Sequence, residues 1–231
     1  MGIEERRDRE RQAVTDSILD AARELFLAEG YQSVSIRKIA ERIEYSPAAI
    51  YSYYPSKDDI FLALAKEGFH RLDAKVRAAM VSGDPLENVR SCWWAFYEFA
   101  KEQPEYFLLM FVDRSVPRIT QQWDGFEFLQ QMLGNAVAAI QLAIDAGAFP
   151  RSLSPDAAMH MLWAGLIGPA VVGIRHRLAS GEDYDALARD VLNITIAGLQ
   201  SGIATSFVSC KCAEEGIAGA QVPAGATCHE A

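Results

Sequence analysis

The stretch YSPAAIYSYYPSKDDI, residues 45–60, decides how this chain is read. Ser46 followed by Pro47 is a capping residue followed by the residue best tolerated in a first helical turn, so a helix starts there. It is short, because Pro55 biases Tyr54 away from helical geometry and Ser56 then caps a new helix entered through Lys57, Asp58 and Asp59. Within the short helix Ile50 and Tyr54 lie four apart and share an inward face, which leaves Pro47, Ala48, Tyr51 and Ser52 toward the outside. Lys57 sharpens the reading. A cation in a first helical turn opposes the helix dipole by about 0.3–1 kcal/mol, and a phosphate at that end would reverse the sign.

Upstream, Ser35 caps a helix of about two turns with Ile36, Ile39, Ala40 and Ile43 on one apolar face. Before it, Ile18, Ala22, Leu25 and Phe26 recur at helical spacing until Gly30, which stands where a left-handed C-terminal cap belongs. Two short helices joined by a tight turn and preceded by a third form a helix-turn-helix, whose second helix enters the DNA major groove N-terminus first. Pro47 and Ala48 then let the backbone approach base edges and thymine methyl groups, and Tyr51 bonds a phosphate or a base. Lys57 adds a charge-assisted phosphate contact, while Ser35 and Arg37 grip a second phosphate. Arg6, Arg7, Arg9 and Arg11 form an arm interleaved with acids, for which minor-groove binding stays open.

The segment GYQSVSIRKIAERIEYSPAAIYSYYPSKDDIF resembles the N-terminal signature of the TetR family of bacterial transcriptional regulators. The likeness lies in Gly-Tyr, Ser-Ile then Ile-Ala, Ser46, Ile50-Tyr51, an aromatic at Tyr54, and Ser56-Lys57, and it covers about residues 12–64. The resemblance implies a three-helix DNA-binding domain on a larger helical domain that dimerises and binds a small effector, usually to release DNA. It assigns Ser35, Arg37, Pro47, Ala48, Tyr51, Ser52 and Lys57 to the DNA surface, with the capping Ser46 counted among them. Two departures stand out. The family's turn usually reads Gly-Val before the serine, but here it is Glu44-Tyr45, so a positive φ at position 44 would carry a backbone cost. Pro47 replaces what is more often a polar residue, which shifts target selection toward Ala48, Tyr51 and DNA shape.

The rest of the chain has helical periodicity and no run of alternating β-branched residues, so the expected fold is all-α. Residues 1–57 form the arm and DNA-binding domain, 58–208 a helical effector-binding and dimerisation domain, and 209–231 a Gly-rich, aromatic-free tail. A long helix is expected over about 119–147 and a last one over about 184–207. The helix bearing SCWWAFYEFA has aromatics on more than one face and must bury both sides or line a cavity. The expected effector site is apolar or aromatic in taste and lies near Trp93, Tyr97, Phe107, Phe111 and Trp123, with Asp113 or Arg114 as polar anchors. Most aromatics of this region are also explained as plain core. Gly165, Gly168 and Gly173 within one helix call for close helix packing, either inside the subunit or, with the last helix, across an isologous four-helix dimer interface.

The net charge of −9 argues against non-specific attraction to nucleic acid, yet residues 1–57 hold 9 basic and 10 acidic side chains, so DNA contact must be local. No secretory h-region opens the chain, and the apolar run Met161–Ile174 is short for a bilayer and contains Pro169, so the expectation is a cytoplasmic protein with no membrane partner. Cys210, Cys212, Cys228 and His229 could offer four metal ligands, but their Cys-x-Cys spacing is tighter than common zinc sites; no metal or cofactor is expected. His160 reads as a structural histidine and Cys92 as a small buried hydrophobe. Neither a P-loop, a nucleophile elbow nor a His-Glu-x-x-His motif occurs, so the function expected is not enzymatic. It is a homodimeric regulator, a repressor on a palindromic operator in double-stranded DNA that an effector releases. The rival is a helical ligand carrier without specific DNA binding.

Overall fold

The computed structural model describes residues 2–113, 127–175, 182–202 and 206–207, which are helical with no strand among them. The N-terminal domain holds α1 (Ile3–Glu29), a 3-10 turn (Tyr31–Ser33), α2 (Ile36–Arg42) and α3 (Pro47–Tyr51). A rod, α4 (Lys57–Ala79), leads into α5 (Pro85–Glu102), α6 (Pro104–Phe111), α7 (Glu127–Asp145), α8 (Pro155–Arg175) and α9 (Tyr184–Gln200).

The caps read from sequence are made. Ser35, Ser46 and Ser56 each accept a hydrogen bond from the amide three residues on, at Lys38, Ala49 and Asp59. Gly30 ends α1 at φ 77°, its amide donating to Phe26 O at 2.8 Å. Fully buried Ile18, Ala22, Ile39, Ala40 and Ile50 close the small core of the N-terminal domain, and Ile60, Phe61 and Leu64 of α4 complete it. Phe61 meets Phe26 and Tyr31 edge-on at ring distances of 5.7 and 4.9 Å, which ties α1 and the turn to the rod.

Three boundaries differ from the sequence reading. The basic arm forms the first turns of α1, where Arg6 pairs with Glu10 at 3.2 Å and Arg9 Nε donates to the backbone carbonyl of Glu5. The last helix stops at Gln200 rather than near 207, since Gly202 turns at φ 71°. The long helix before Gly147 is described only from Glu127, and its expected start lies outside the described residues. In addition α8, with Pro169 inside it, is longer than the apolar run and is long and apolar enough to cross a bilayer by length and composition. It packs against α5, α7 and α9, burying Ala157, Ala158, Leu162, Leu166 and Ala170.

The glycines of α8 divide between two directions. A Cβ on Gly165 would stand 3.3 Å from both Thr195 Oγ1 and Val191 Cγ1 of α9, so this glycine serves packing within the subunit, whereas a Cβ on Gly168 meets nothing. At the start of α9, Asp185 accepts from the Tyr97 hydroxyl at 2.9 Å and from Lys101 Nζ at 2.6 and 2.7 Å. The Lys101 hydrogen bond, and then that of Tyr97, hold the Asp185 carboxyl below its usual range. Tyr97 is thereby a bolt between α5 and α9, its own ionisation pushed up chiefly by burial.

Glu44 has φ 59° and is the one non-glycine residue with positive φ among those described, as the substitution of the usual glycine implied. Replacing it by glycine is expected to stabilise the protein by about 1 kcal/mol, read as a higher urea midpoint at unchanged slope. For Asp185 the lowered carboxyl pKa means stability present above the unfolded value of about 3.9 and lost as pH falls through the folded one. Asp185→Asn should therefore lower the midpoint slightly at neutral pH, by under about 1 kcal/mol for so exposed a pair, and the gap to wild type should close in acid.

Candidate functional site

The α2–turn–α3 unit is fixed from beneath by Ile50, which is fully buried, while its outer face is open. Ser35, Arg37, Ser46, Pro47, Ala48, Tyr51 and Ser52 are all exposed, Tyr51 by 54%. The local reason is the cap sequence. Ser46 Oγ takes the Ala49 amide at 3.2 Å, and Pro47 and Ala48 occupy the first turn, so the N-terminal end of α3 points out with no bulky side chain over it. At its other end Ser52 Oγ donates to Ala49 O at 2.7 Å, and the Tyr53 and Tyr54 amides close on Ile50 O. A surface with small residues at a helix N-terminus and a projecting tyrosine one turn on suits the floor of a major groove.

The surrounding charges are paired. Arg37 meets Glu41 at 2.8 Å, Lys38 meets Glu29, and Arg42 meets Glu24 at 2.7 Å. All are exposed pairs of small worth, and each cation can be taken over by a phosphate. The sequence reading missed two neighbours of this face: Tyr45 in the turn, 45% exposed, and Tyr53, over whose ring Arg11 stands at 5.2 Å. The adjacent Glu44-Tyr45 departure was the signal available for the first.

Lys57 is placed differently from the other candidates. Its Nζ donates to Tyr31 O and Val34 O, each at 3.0 Å, and lies 3.8 Å from the centre of the Tyr31 ring. The Tyr31 hydroxyl in turn hydrogen-bonds Asp58. Burial pulls the Lys57 ammonium below its ordinary pKa, with Asp58 opposing. Two of the three ammonium N–H groups are thus spent inside the protein, which explains a cation at this helix start without any ligand. The sequence reading found the anomaly and gave it to phosphate; the structure gives it first to the 3-10 turn.

A cavity of about 570 Å³ lies between α4, α5, α7 and α8. Of the expected effector residues, Trp93 and Phe111 line it. Tyr97 and Phe107 do not: both are buried core, Tyr97 turned to Asp185 and Phe107 packed between Phe96 and Phe111 at 5.4 and 5.2 Å. Asp113 is half-buried at the end of α6, apart from the lining, and Arg114 and Trp123 lie outside the described residues, as do Cys210, Cys212, Cys228 and His229. The reading missed the contributions of α4 (Leu72, Val76, Met80) and α7 (Leu129, Met132, Leu133). Their periodicity signals burial equally well, so nothing in it separates a cavity wall from a core. Among the described residues no group of side chains is arranged to hold a metal ion.

Residues 18–64 match the family described as bacterial regulatory proteins, tetR family. The chain is 33% identical over 90 residues to the transcriptional repressor KstR of Mycolicibacterium smegmatis, a match spanning 38% of this chain and 42% of that one. The chain thus spans less than half the length of that curated relative. It is 28% identical over 184 residues to the transcriptional repressor AcnR of Corynebacterium diphtheriae, covering 80% of this chain and 90% of the relative. The fold is similar to that of the fatty acid degradation regulator FadR from Bacillus halodurans, with a TM-score of 0.67 at 21% identity over 80% of this chain and 98% of that one.

Lys57→Met keeps the apolar stem and removes the donors. It should lower stability by about 0.5–1.5 kcal/mol, the net worth of a hydrogen bond at a part-buried site where Tyr31 O still holds the Val34 amide, as read from urea denaturation. Stability equal to wild type would return Lys57 to the DNA surface alone.

Proposed function

We propose, from the premise that this chain belongs to the TetR family of bacterial regulatory proteins through residues 18–64, that it is a cytoplasmic repressor which binds a palindromic operator as a homodimer and is released by a small apolar effector. The observation that carries DNA binding is the open N-terminal face of α3, with Pro47, Ala48, Tyr51 and Ser52 exposed over a buried Ile50. In this reading Tyr51 and Ala48 read base edges, while Ser35 and Arg37 hold phosphates. Lys57 offers one remaining N–H to a phosphate after serving the 3-10 turn.

The dimer reading is supported by α9. Leu187, Val191, Ile194 and Gly198 follow one another at helical spacing, with Leu187 40% and Ile194 71% exposed. Such a stripe on α9, which packs along α8, fits one half of a four-helix interface, and a two-fold there would set two recognition helices for a palindrome.

Effector control is supported by α4. Its N-terminal turn is tied to the DNA-binding domain through Lys57 and Asp58, and its later turns give Leu72, Val76 and Met80 to the cavity. A ligand that moves the cavity wall tilts the same rod that positions α3. The likeness in fold to a fatty acid degradation regulator is in keeping with an apolar effector. The carrier reading draws on one observation, the neutralising pairs of Arg37, Lys38 and Arg42 with Glu41, Glu29 and Glu24.

The test is a footprint on DNA flanking the protein's own gene at two salt concentrations. A protected palindrome with half-sites about one helical turn apart, weakening as salt rises, is the expected result. Tyr51→Ala should weaken that binding by about tenfold or more while dimer mass and thermal midpoint stay as in wild type. An absence of protection even at low salt would favour the carrier.

A further inference from the structure

The cations of the N-terminal domain are not equally free. Arg6, Arg23, Arg37, Lys38 and Arg42 each meet a carboxylate, Arg9 donates to the backbone carbonyl of Glu5, and Lys57 is spent on two carbonyls. Arg7 and Arg11 are exposed and meet no acid among the described residues. Both line one open hollow with Asp8, Glu10, Val14, Tyr45 and Tyr53. At a spacing of four and then three, Arg7, Arg11 and Val14 share the face of α1 turned to that hollow, with Asp8 and Glu10 flanking it on either side. Glu10 is taken by Arg6 at 3.2 Å, so three cations stand against two acids there. Arg11 is already set in place, its guanidinium 5.2 Å from the centre of the Tyr53 ring. The two tyrosines come from the two ends of α3: Tyr45, 45% exposed, precedes the capping Ser46, and Tyr53 follows Ser52. Neither hydroxyl has a hydrogen-bond partner among the described residues.

Resting on the reading that α3 enters the major groove of duplex DNA, we propose that this hollow is a further backbone site, in which Arg7 and Arg11 of α1, with the Tyr45 and Tyr53 hydroxyls, hold a phosphate of the strand that walls the groove beside α3. Guanidinium forks and phenol hydroxyls are donors suited to phosphate oxygens. Arg7 and Arg11 give up no ion pair to bind one, whereas Arg37 must leave Glu41. The stacking of Arg11 on Tyr53 also lowers the ordering cost of the contact. The minor groove is the other destination open to a basic arm, and the helical form of this one argues against it. A helix is about 10–12 Å across and the minor groove about 6 Å wide, so the first turns of α1 run along the backbone and not along the groove floor. Such a contact carries no sequence information; it adds affinity and fixes the register of α3.

The experiment measures binding of purified full-length protein to its footprinted operator and to a duplex of scrambled sequence across a salt series. The pair Arg7→Gln and Arg11→Gln should weaken binding to both duplexes alike, by about tenfold, and lower the slope of log affinity against log salt by about two, one phosphate for each protomer of a dimer. The pair Arg7→Lys and Arg11→Lys keeps the charge and should keep the slope. Arg151→Gln removes an exposed charge from the turn before α8 and should leave affinity within about threefold. Unchanged affinity and slope in the glutamine pair would overturn the phosphate site while leaving the wild-type footprint, and with it the DNA reading, in place; no wild-type footprint at all would remove both. A loss confined to the operator would make the arginines readers of bases and overturn the backbone assignment. Inorganic phosphate at constant ionic strength should leave wild-type binding within about threefold; competition that the glutamine pair does not share would give the hollow to a free anion instead. Should the glutamine pair fail to fold, as judged by its urea midpoint, Arg11→Gln alone carries the same test of equal loss on the two duplexes.

Discussion

The continuity of α4 is the constraint on which the rest depends. Its 23 residues make a rod of about 34 Å, and no proline or positive φ interrupts it between Lys57 and Ala79. One end is held by the Lys57 ammonium under two carbonyls and by Asp58 on Tyr31; the other forms a wall of the cavity. Between them Ile60, Phe61, Leu64 and Ala65 belong to the small core, and Phe69 and Leu72 to the large one. Gly68 sits where the rod crosses α6, so closely that a Cβ there would stand 2.4 Å from Met110 Sδ and 2.9 Å from Tyr106 Cδ1. The two cores are thus parts of one packed body, and a shift at either end must be carried by the other.

Electrostatics acts locally in this acidic molecule. Most cations of the N-terminal domain are held by neighbouring acids at the surface, where such pairs are cheap to exchange. The charged groups that matter to shape are those that join elements. Asp185 links α9 to α5, and Arg23 links α1 to Glu105 of α6 at 3.3 Å. Neither would be found by counting charge, since both depend on partners more than 80 residues away in the chain.

The cavity and the core are built from the same residue types, and that limits what a linear reading can assign. Trp93 and Tyr97 lie one helical turn apart, yet the first meets the cavity and the second meets Asp185. The difference is a property of how α7, α8 and α9 lean on α5, and no spacing within α5 records it. Gly165 and Gly168 make the same point: one accommodates Val191 and Thr195 of the same chain, and the other faces open space.

What the sequence by itself determined is everything governed by neighbours along the chain. Ser35, Ser46 and Ser56 announced their helices because a cap is a bond to an amide three residues away. Ile39 and Ile50 announced the small core through helical period, and Glu44 announced its positive φ by standing where a glycine is usual. Only the tertiary structure decided what depends on residues meeting from distant segments. It turned Lys57 toward the carbonyls of Tyr31 and Val34, brought the Asp73–Arg77 pair to the cavity wall, and divided the aromatics between cavity and core. The physical reason is that local rules fix which face of a helix is apolar, whereas the partner of that face is fixed by long-range packing.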